Sequence, residues 1–281
     1  MPKGLSLHIG LNTVDPAHYG GWDGKLQACE ADHEEMTALA KSKGFKTTTL
    51  TTKKATRKAV IGAIADAAKT LKAGDIFLVT YAGHGGQVPD KNGDEADLKD
   101  ETWCLFDGQL VDDELNELWA TFAQGVRILA ILDSCHSGTA VRAAYNELVR
   151  TGVTSQPVTR TDGDQKPVFR TMPDDAAART YRLNRAFYDD IAADLPEQAS
   201  PIVASLRLIS GCQDNQLSMD GTFNGLFTGT LLRVWKNGDF GGNYDKFHQE
   251  IVRLMPPTQS PNHLKVGTPS AEYDGQTPFS I

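Results

Sequence analysis

The chain has little of what a disulfide scaffold, a zinc module or a membrane protein needs. Its 281 residues include four cysteines, none of which forms a CxxC pair, and this disfavours zinc sites and disulfide frameworks. No apolar run approaches the roughly 18 residues of a membrane-spanning helix. Residues 1–7 lack the apolar stretch of a secretory leader. These absences predict reduced thiols, a cytoplasmic location and no membrane partner.

Positive charge is also scarce. The formal net charge is −8, and no basic stripe is visible along the sequence, which argues against nucleic acid as a partner. A basic peptide or a cation is a more natural ligand for such a chain. The hydrophobic content of 40% and the charged content of 23% are globular values. The length suits one large α/β domain or two small ones.

Strand and helix patterns alternate along the first half of the chain and again near its end, which predicts a mostly parallel sheet. Predicted strands cover residues 5–11, 45–50, 75–81, 127–132, 206–212 and 263–266, with a small hairpin at 101–106 and 109–111. Predicted helices cover residues 28–43, 56–72, 112–122, 225–235 and 244–254. The pattern fails between residues 148 and 200, which are rich in Pro, Thr and Asp.

Two short motifs follow apolar runs that have the character of buried strands. One is YAGHGG, which contains His84, and the other is DSCHSG, which contains Cys135. Because each lies just beyond the carboxyl end of a core strand, both belong to the edge where α/β sheets build their sites. A thiol beside an imidazole base is a nucleophile. Gly83, Gly85 and Gly86 are expected to admit a substrate backbone and to free N–H groups for an oxyanion.

These motifs resemble the two active-site signatures of metacaspases and of their bacterial relatives, the orthocaspases. The segments LQACEAD, ISGCQDNQLSMDG and NGLFTGTLL are similar to further parts of that family. The resemblance implies a caspase-like α/β fold with a mostly parallel central sheet of about six or more strands and helices on both faces. It also implies that Cys135 is the nucleophile, that His84 is the general base, and that Gly85 and the Cys135 N–H form the oxyanion hole.

The family resemblance further implies a pocket lined by carboxylates for the residue before the scissile bond (P1). Asp133 and Asp32 occupy the matching positions of this sequence. Two carboxylates at the base of a pocket favour Arg or Lys at P1 through charge-assisted hydrogen bonds, and they repel Asp. The expected partner is therefore a protein or peptide with a basic P1 residue, bound by a monomeric enzyme.

An acidic segment follows the histidine motif. An EF-hand is excluded because the turn glycine, Gly93, stands at the wrong loop position and no helix precedes it. In metacaspases, acidic residues after this motif are implicated in calcium activation, and the matching positions are Asp100, Asp112 and Asp113. Calcium is thus a candidate activator, although the covalent chemistry requires no cofactor. The alternative is a solvated charge run with helix capping by Asp112 and Asp113.

The chain divides into a large-subunit region (residues 1–147), a linker (148–200) and a small-subunit region of the same domain (201–281). If the enzyme cuts after arginine, the linker is where it would process itself. The candidate self-cleavage residues are Arg150, Arg160, Arg170 and Arg179. The alternative is an unprocessed surface loop.

Two other functions remain open at this stage. One is a catalytically silent or partner-activated, calcium-responsive interaction module on the same fold. The other is a cysteine hydrolase that acts on a different acyl substrate. The intact pair of His84 and Cys135 disfavours the silent module, and the paired carboxylates favour a peptide over an ester.

Overall fold

A computed structural model describes residues 1–91, 93, 98–134, 168–212, 218–221 and 223–281. The strands are β1 (Gly4–Gly10), β2 (Lys46–Thr51), β3 (Ile76–Ala82), β4 (Gly85–Pro89), β5 (Lys99–Leu105), β6 (Gly108–Val111), β7 (Arg127–Asp133), β8 (Ser205–Ser210) and β9 (Asn262–Gly267). The helices are α1 (Cys29–Ser42), α2 (Arg57–Thr70), α3 (Asp112–Ala120), α4 (Asp174–Leu183), α5 (Arg185–Asp194), α6 (Leu226–Trp235), α7 (Tyr244–Leu254) and α8 (Ala271–Gly275). None of the helices in these ranges is long and apolar enough to cross a bilayer.

The main sheet has six strands in the order β2-β1-β3-β7-β8-β9. All neighbours pair in parallel except β8 and β9, which are antiparallel. The central strands β3 and β7 are continuous apolar runs because helices cover both of their faces. The predicted caspase-like fold with a mostly parallel sheet is confirmed. A second, antiparallel sheet of β4, β5 and β6 contains the predicted hairpin.

Alternate side chains of the central strands enter two separate cores. Phe77 and Val79 of β3 face the core that includes buried residues of α2 and α3. Ile76 and Leu78 face the opposite core, which includes residues of α1, α6 and α7. This alternation follows from the two-residue period of a strand.

The register of β3 against β7 brings the two sequence motifs to one place. Ala82, the last residue of β3, pairs with Asp133, the last residue of β7. His84 is the second residue after Ala82, and Cys135 is the second residue after Asp133. Both motifs therefore leave the sheet at the same level of its carboxyl edge.

The expected irregular linker needs a correction in the part that the structure describes. Residues 174–183 and 185–194 form the helices α4 and α5. Pro173 precedes α4, and Asp174 and Asp175 occupy its first turn, where the helix dipole favours acidic side chains. The sequence of α4 does not show a clear helical pattern of apolar residues, because the side chains that it buries are small or polar, Ala176 and Thr180. Strand β4, directly after His84, was also not expected.

Candidate active site

His84 is buried at the carboxyl edge of the sheet, just beyond β3. Its Nε2 lies 3.0 Å from the carbonyl oxygen of Gly24, and its ring packs against Trp22 with 4.7 Å between ring centroids. Burial lowers the pKa of His84 to about 4, while the hydrogen bond with the Gly24 backbone opposes that shift. The imidazole is therefore neutral at neutral pH.

The hydrogen bond to Gly24 also selects the tautomer of His84. A carbonyl oxygen can only accept, so Nε2 must carry the proton. In a neutral ring this leaves Nδ1 with a free lone pair. Nδ1 is buried and has no hydrogen-bond partner among the residues described. An oriented imidazole with one unprotonated nitrogen is the arrangement that a general base requires.

The glycines around His84 differ in what surrounds them. A Cβ on Gly83 would lie 2.6 Å from the Tyr81 hydroxyl, and a Cβ on Gly86 would lie 2.5 Å from the side-chain oxygen of Gln109. These two positions make room for the protein's own side chains, and the expectation that they admit a substrate backbone stays a prediction. The N–H of Gly85, the predicted oxyanion donor, donates to the carbonyl oxygen of Arg170 at 3.0 Å.

Asp32 and Asp133, the two predicted pocket residues, lie close together and are each 1% exposed. Asp133 ends β7 and accepts hydrogen bonds from the Thr228 N–H at 3.0 Å and the Thr228 hydroxyl at 2.8 Å. The hydroxyl of Ser218 donates to its other oxygen at 2.7 Å. Asp32, in the first turn of α1, accepts from the Gly225 N–H at 2.9 Å. These donors fix the orientation of both carboxylates.

A third carboxylate, Asp220, completes the pocket and was missed by the sequence interpretation. It accepts from the Gln27 N–H at 2.8 Å. Nothing in the spacing of the segment that contains Asp220 connects this residue with Asp32 or Asp133. The signal available in the sequence is that Asp220 is one of two acidic residues in the motif ISGCQDNQLSMDG.

The guanidinium of Arg170 fills this pocket and contacts all three carboxylates. Its Nη2 lies 2.6 Å from Asp32 Oδ2 and 3.0 Å from Asp220 Oδ1, and its Nη1 lies 3.1 Å from Asp133 Oδ2. The Arg170 side chain is 0% exposed. Three carboxylates against one cation leave excess negative charge. Burial, with a further contribution from Asp133, therefore raises the pKa of Asp32 to about 6 against the opposing effect of Arg170.

A buried, neutral histidine lies beside an acidic pocket at a strand edge, as the predicted peptidase site requires, and comparison with known families identifies the family. The model of the caspase domain, peptidase family C14, matches residues 13–271. The chain belongs to the caspase-domain family. The resemblance to metacaspases and orthocaspases, predicted from the two motifs, is confirmed.

Curated relatives of this caspase-domain protein are metacaspases. Metacaspase-1 of Schizosaccharomyces pombe is 29% identical over 263 residues, which cover 83% of this chain and 59% of that protein. Metacaspase-1 of Mycosarcoma maydis is 29% identical over 249 residues, covering 81% and 60%. The chain thus spans about three fifths of the length of the curated relatives that it matches.

Two solved structures share the fold of this caspase-domain protein. The protein GSU0716 of Geobacter sulfurreducens superposes with a TM-score of 0.86 at 55% identity, covering 100% of this chain and 99% of that one. Caspase-1 of Spodoptera frugiperda superposes with a TM-score of 0.55 at 12% identity, covering 95% and 86%. At that identity the second likeness shows the fold alone.

Several predicted site residues lie outside the described ranges or away from the pocket. Cys135, Arg150 and Arg160 fall within residues 135–167, which the structure does not describe. Arg179 lies in α4, where its Nε donates to the carbonyl oxygen of Gly20 at 2.8 Å. Its peptide group is therefore part of a helix rather than of an extended chain.

The proposed calcium ligands lie beside the small sheet. Asp100 is on β5, and Asp112 and Asp113 begin α3; all three are buried. Asp100 and Asp113 line one small cavity together with Lys91. Within the described ranges, no three His, Cys, Asp or Glu side chains converge in a way that could hold a metal ion. Calcium activation stays a prediction.

Proposed function

We propose that this caspase-domain protein is a cysteine endopeptidase that cleaves peptide bonds after arginine or lysine. The observation that carries the specificity is the fully buried guanidinium among Asp32, Asp133 and Asp220. Such a pocket accepts a long cationic side chain and pairs it with charge-assisted hydrogen bonds. An aspartate at P1 would meet three like charges and be rejected.

The mechanism follows from the neutral histidine. Nδ1 of His84 takes the proton of the Cys135 thiol, and the thiolate attacks the carbonyl carbon of the scissile bond. The N–H groups of Gly85 and Cys135 stabilise the negative oxygen that forms. The imidazolium then gives its proton to the leaving amine, and water hydrolyses the thioester. The pocket fixes the P1 residue so that the carbonyl meets the thiolate in the reactive orientation.

Arginine is expected to be the better P1 residue of the two. The planar guanidinium offers five N–H donors, and the pocket uses Nε, Nη1 and Nη2 of Arg170. The ammonium of lysine is a single point that cannot reach three separated carboxylates equally well. Lysine substrates are therefore expected to be cut, but more slowly.

A second candidate function is a partner-activated interaction module on the same fold. It is favoured by the occupied pocket, since a cleft that holds its own arginine is closed to an external peptide. Activation by calcium is compatible with this candidate as well as with the peptidase. The calcium response is tested by measuring the melting temperature and the activity of the protein with millimolar calcium and with a chelator. Asp112→Asn is the variant that should lose any calcium effect.

The deciding experiment is the hydrolysis of fluorogenic peptides that end in Arg, Lys or Asp. Turnover of the Arg and Lys peptides that disappears in Cys135→Ala, but not in Cys104→Ala, supports the peptidase. Cys104 is a suitable control because its buried thiol has a raised pKa and is a poor nucleophile. Equal turnover of the Asp peptide would contradict the assigned specificity.

A further inference from the structure

Residues 168–172 cross the candidate cleft as an extended segment that pairs with the protein on both sides. On one side the N–H of Arg170 donates to the carbonyl oxygen of Ser218 at 2.9 Å, and the N–H of Asp220 donates to the carbonyl oxygen of Val168 at 2.9 Å. Phe169 and Met219 form an antiparallel bridge between these bonds. The segment thus binds as an added strand, which is a common mode of peptide recognition.

On the other side the segment contacts the residue that follows the histidine base. The Gly85 N–H donates to the Arg170 carbonyl oxygen at 3.0 Å, and the Gly85 carbonyl oxygen accepts from the Met172 N–H at 2.8 Å. Gly85 and Thr171 form a parallel bridge. The carbonyl oxygen of Arg170 therefore accepts from the same N–H group that the proposed mechanism assigns to the oxyanion.

The same residue fills the specificity pocket. Arg170 places its side chain among three carboxylates and its carbonyl oxygen on Gly85, which are the two contacts that a P1 residue must make at once. The backbone of Thr171, the next residue, lies close enough to His84 to raise the pKa that burial lowers. The peptide bond between Arg170 and Thr171 is thus flanked by the oxyanion donor and the base.

We propose that the Arg170–Thr171 bond is the self-cleavage site of this chain, held in its own cleft as a substrate, and that residues 168–172 close the cleft until the bond is cut. The proposal rests on the proposed function. It singles out one of the four arginines that the sequence offered.

The reaction balances without an added reagent other than water. The Cys135 thiolate bonds to the Arg170 carbonyl carbon, and the C–N bond to Thr171 breaks. His84, which has taken the thiol proton, returns it to the Thr171 nitrogen, which becomes a free amine. Water then cleaves the thioester, gives Arg170 a carboxylate and restores the thiol. The products are residues 1–170 and 171–281.

Intact-mass measurements on the purified full chain test this assignment. Wild type should convert into the two fragments, and Cys135→Ala should remain whole. The half-time should not depend on protein concentration, because the segment is already bound within its own molecule. Arg179→Gln, the control at another candidate arginine, should be cut at the same bond as wild type.

Thr171→Pro separates cleavage from binding. Within the described ranges the Thr171 N–H donates no hydrogen bond, and proline favours an extended residue before it, so the pairing of Arg170 should survive. The altered bond, with a ring nitrogen as its leaving group, should stay intact. Because the segment then keeps the cleft occupied, turnover of an external Arg peptide should fall by about tenfold or more relative to processed wild type.

The outcomes distinguish this proposal from the proposed function. A chain that hydrolyses Arg peptides while its Arg170–Thr171 bond stays whole, or that is cut elsewhere, overturns the self-cleavage site alone. If wild type shows neither cleavage nor peptide turnover, the variant Arg170→Gln distinguishes the two proposals. Its folding is checked by circular dichroism. Peptide turnover by that variant leaves the peptidase standing and overturns self-cleavage, and silence in a folded variant overturns both.

Discussion

The imidazole of His84 is held by the carbonyl oxygen of Gly24, 3.0 Å from its Nε2, although the two residues are far apart in the sequence. Gly24 has a left-handed backbone with φ of 54°. A Cβ at this position would lie 3.1 Å from Cδ2 of His84. The loop that contains Gly24 therefore determines both the proton position and the location of the imidazole.

Gly24→Ala is expected to lower kcat by about tenfold to a hundredfold, because a small displacement of a catalytic group is costly, while KM changes little. Gly21→Ala is the matched control. Gly21 also has a positive φ of 93°, but a Cβ there meets nothing within 4 Å. Steady-state kinetics on an Arg peptide measure both variants, and an equal loss of kcat in the two would contradict the role of Gly24.

Asp220→Asn is expected to reduce kcat/KM for Arg peptides by about tenfold or more, since truncating one partner of a buried charge pair is costly. Asp220 pairs with both Nε and Nη2 of Arg170. Asp239→Asn, a change at an exposed aspartate, is the control. If Asp220→Asn cleaves Arg peptides as fast as wild type, the third carboxylate has no part in specificity.

Acid is expected to destabilise the protein between pH 6.5 and about 4. Burial lowers the pKa of His84 to about 4 and that of His8 to about 3. In this window the two histidines are protonated in the unfolded chain but stay neutral in the folded chain. Each histidine therefore lowers the free energy of unfolding by about 1.4 kcal/mol for every unit by which the pH falls. The raised pKa of Asp32, about 6, acts in the opposite direction, but one acid does not balance two histidines.

Urea unfolding at pH 7 and pH 5 measures this acid effect. The midpoint should fall at pH 5, and the fall should be smaller in His8→Gln, which removes one of the buried histidines. A midpoint that is unchanged or higher at pH 5 would show that the carboxylates dominate instead.

Arg207→Leu is expected to cost about 1–3 kcal/mol of stability, because it removes a buried cation and its charge-assisted hydrogen bonds to half-exposed acids. Arg207 is 2% exposed, pairs with Asp274 and lies between the rings of Tyr244 and Tyr273, 5.0 and 4.7 Å from their centroids. Arg253→Leu, at an exposed arginine that pairs with Glu250, should cost less than about 1 kcal/mol. Urea unfolding compares the two, and equal losses would contradict this view of Arg207.

Most of the fold was predictable because the main strands are apolar runs with clear boundaries. The strands that end at Ala82 and Asp133 are buried on both faces, so their nearly continuous apolar sequences identify them as core strands. Helices α4 and α5 were not predictable in the same way. The buried positions of α4 are the small Ala176 and the polar Thr180, which do not stand out as an apolar stripe in a segment rich in Pro, Thr and Asp.

The site was predictable only where a motif lies next to a strand end. His84 could be assigned a role from its motif, and Asp32 and Asp133 from the family resemblance. Arg170 and Asp220 could not be connected, because their contact depends on the long-range closure of two loops over the sheet edge. Cys135, the predicted nucleophile, lies outside the described residues and stays a prediction.

The pocket draws its parts from widely separated points of the chain, and this has a consequence for synthesis. Asp32 and Asp133 leave the ribosome well before Ser218 and Asp220, which supply the third carboxylate and the pairing edge for Arg170. A growing chain that ends before residue 218 therefore lacks both elements. The order of translation itself keeps a nascent chain from assembling a complete cleft until Asp220 has been made.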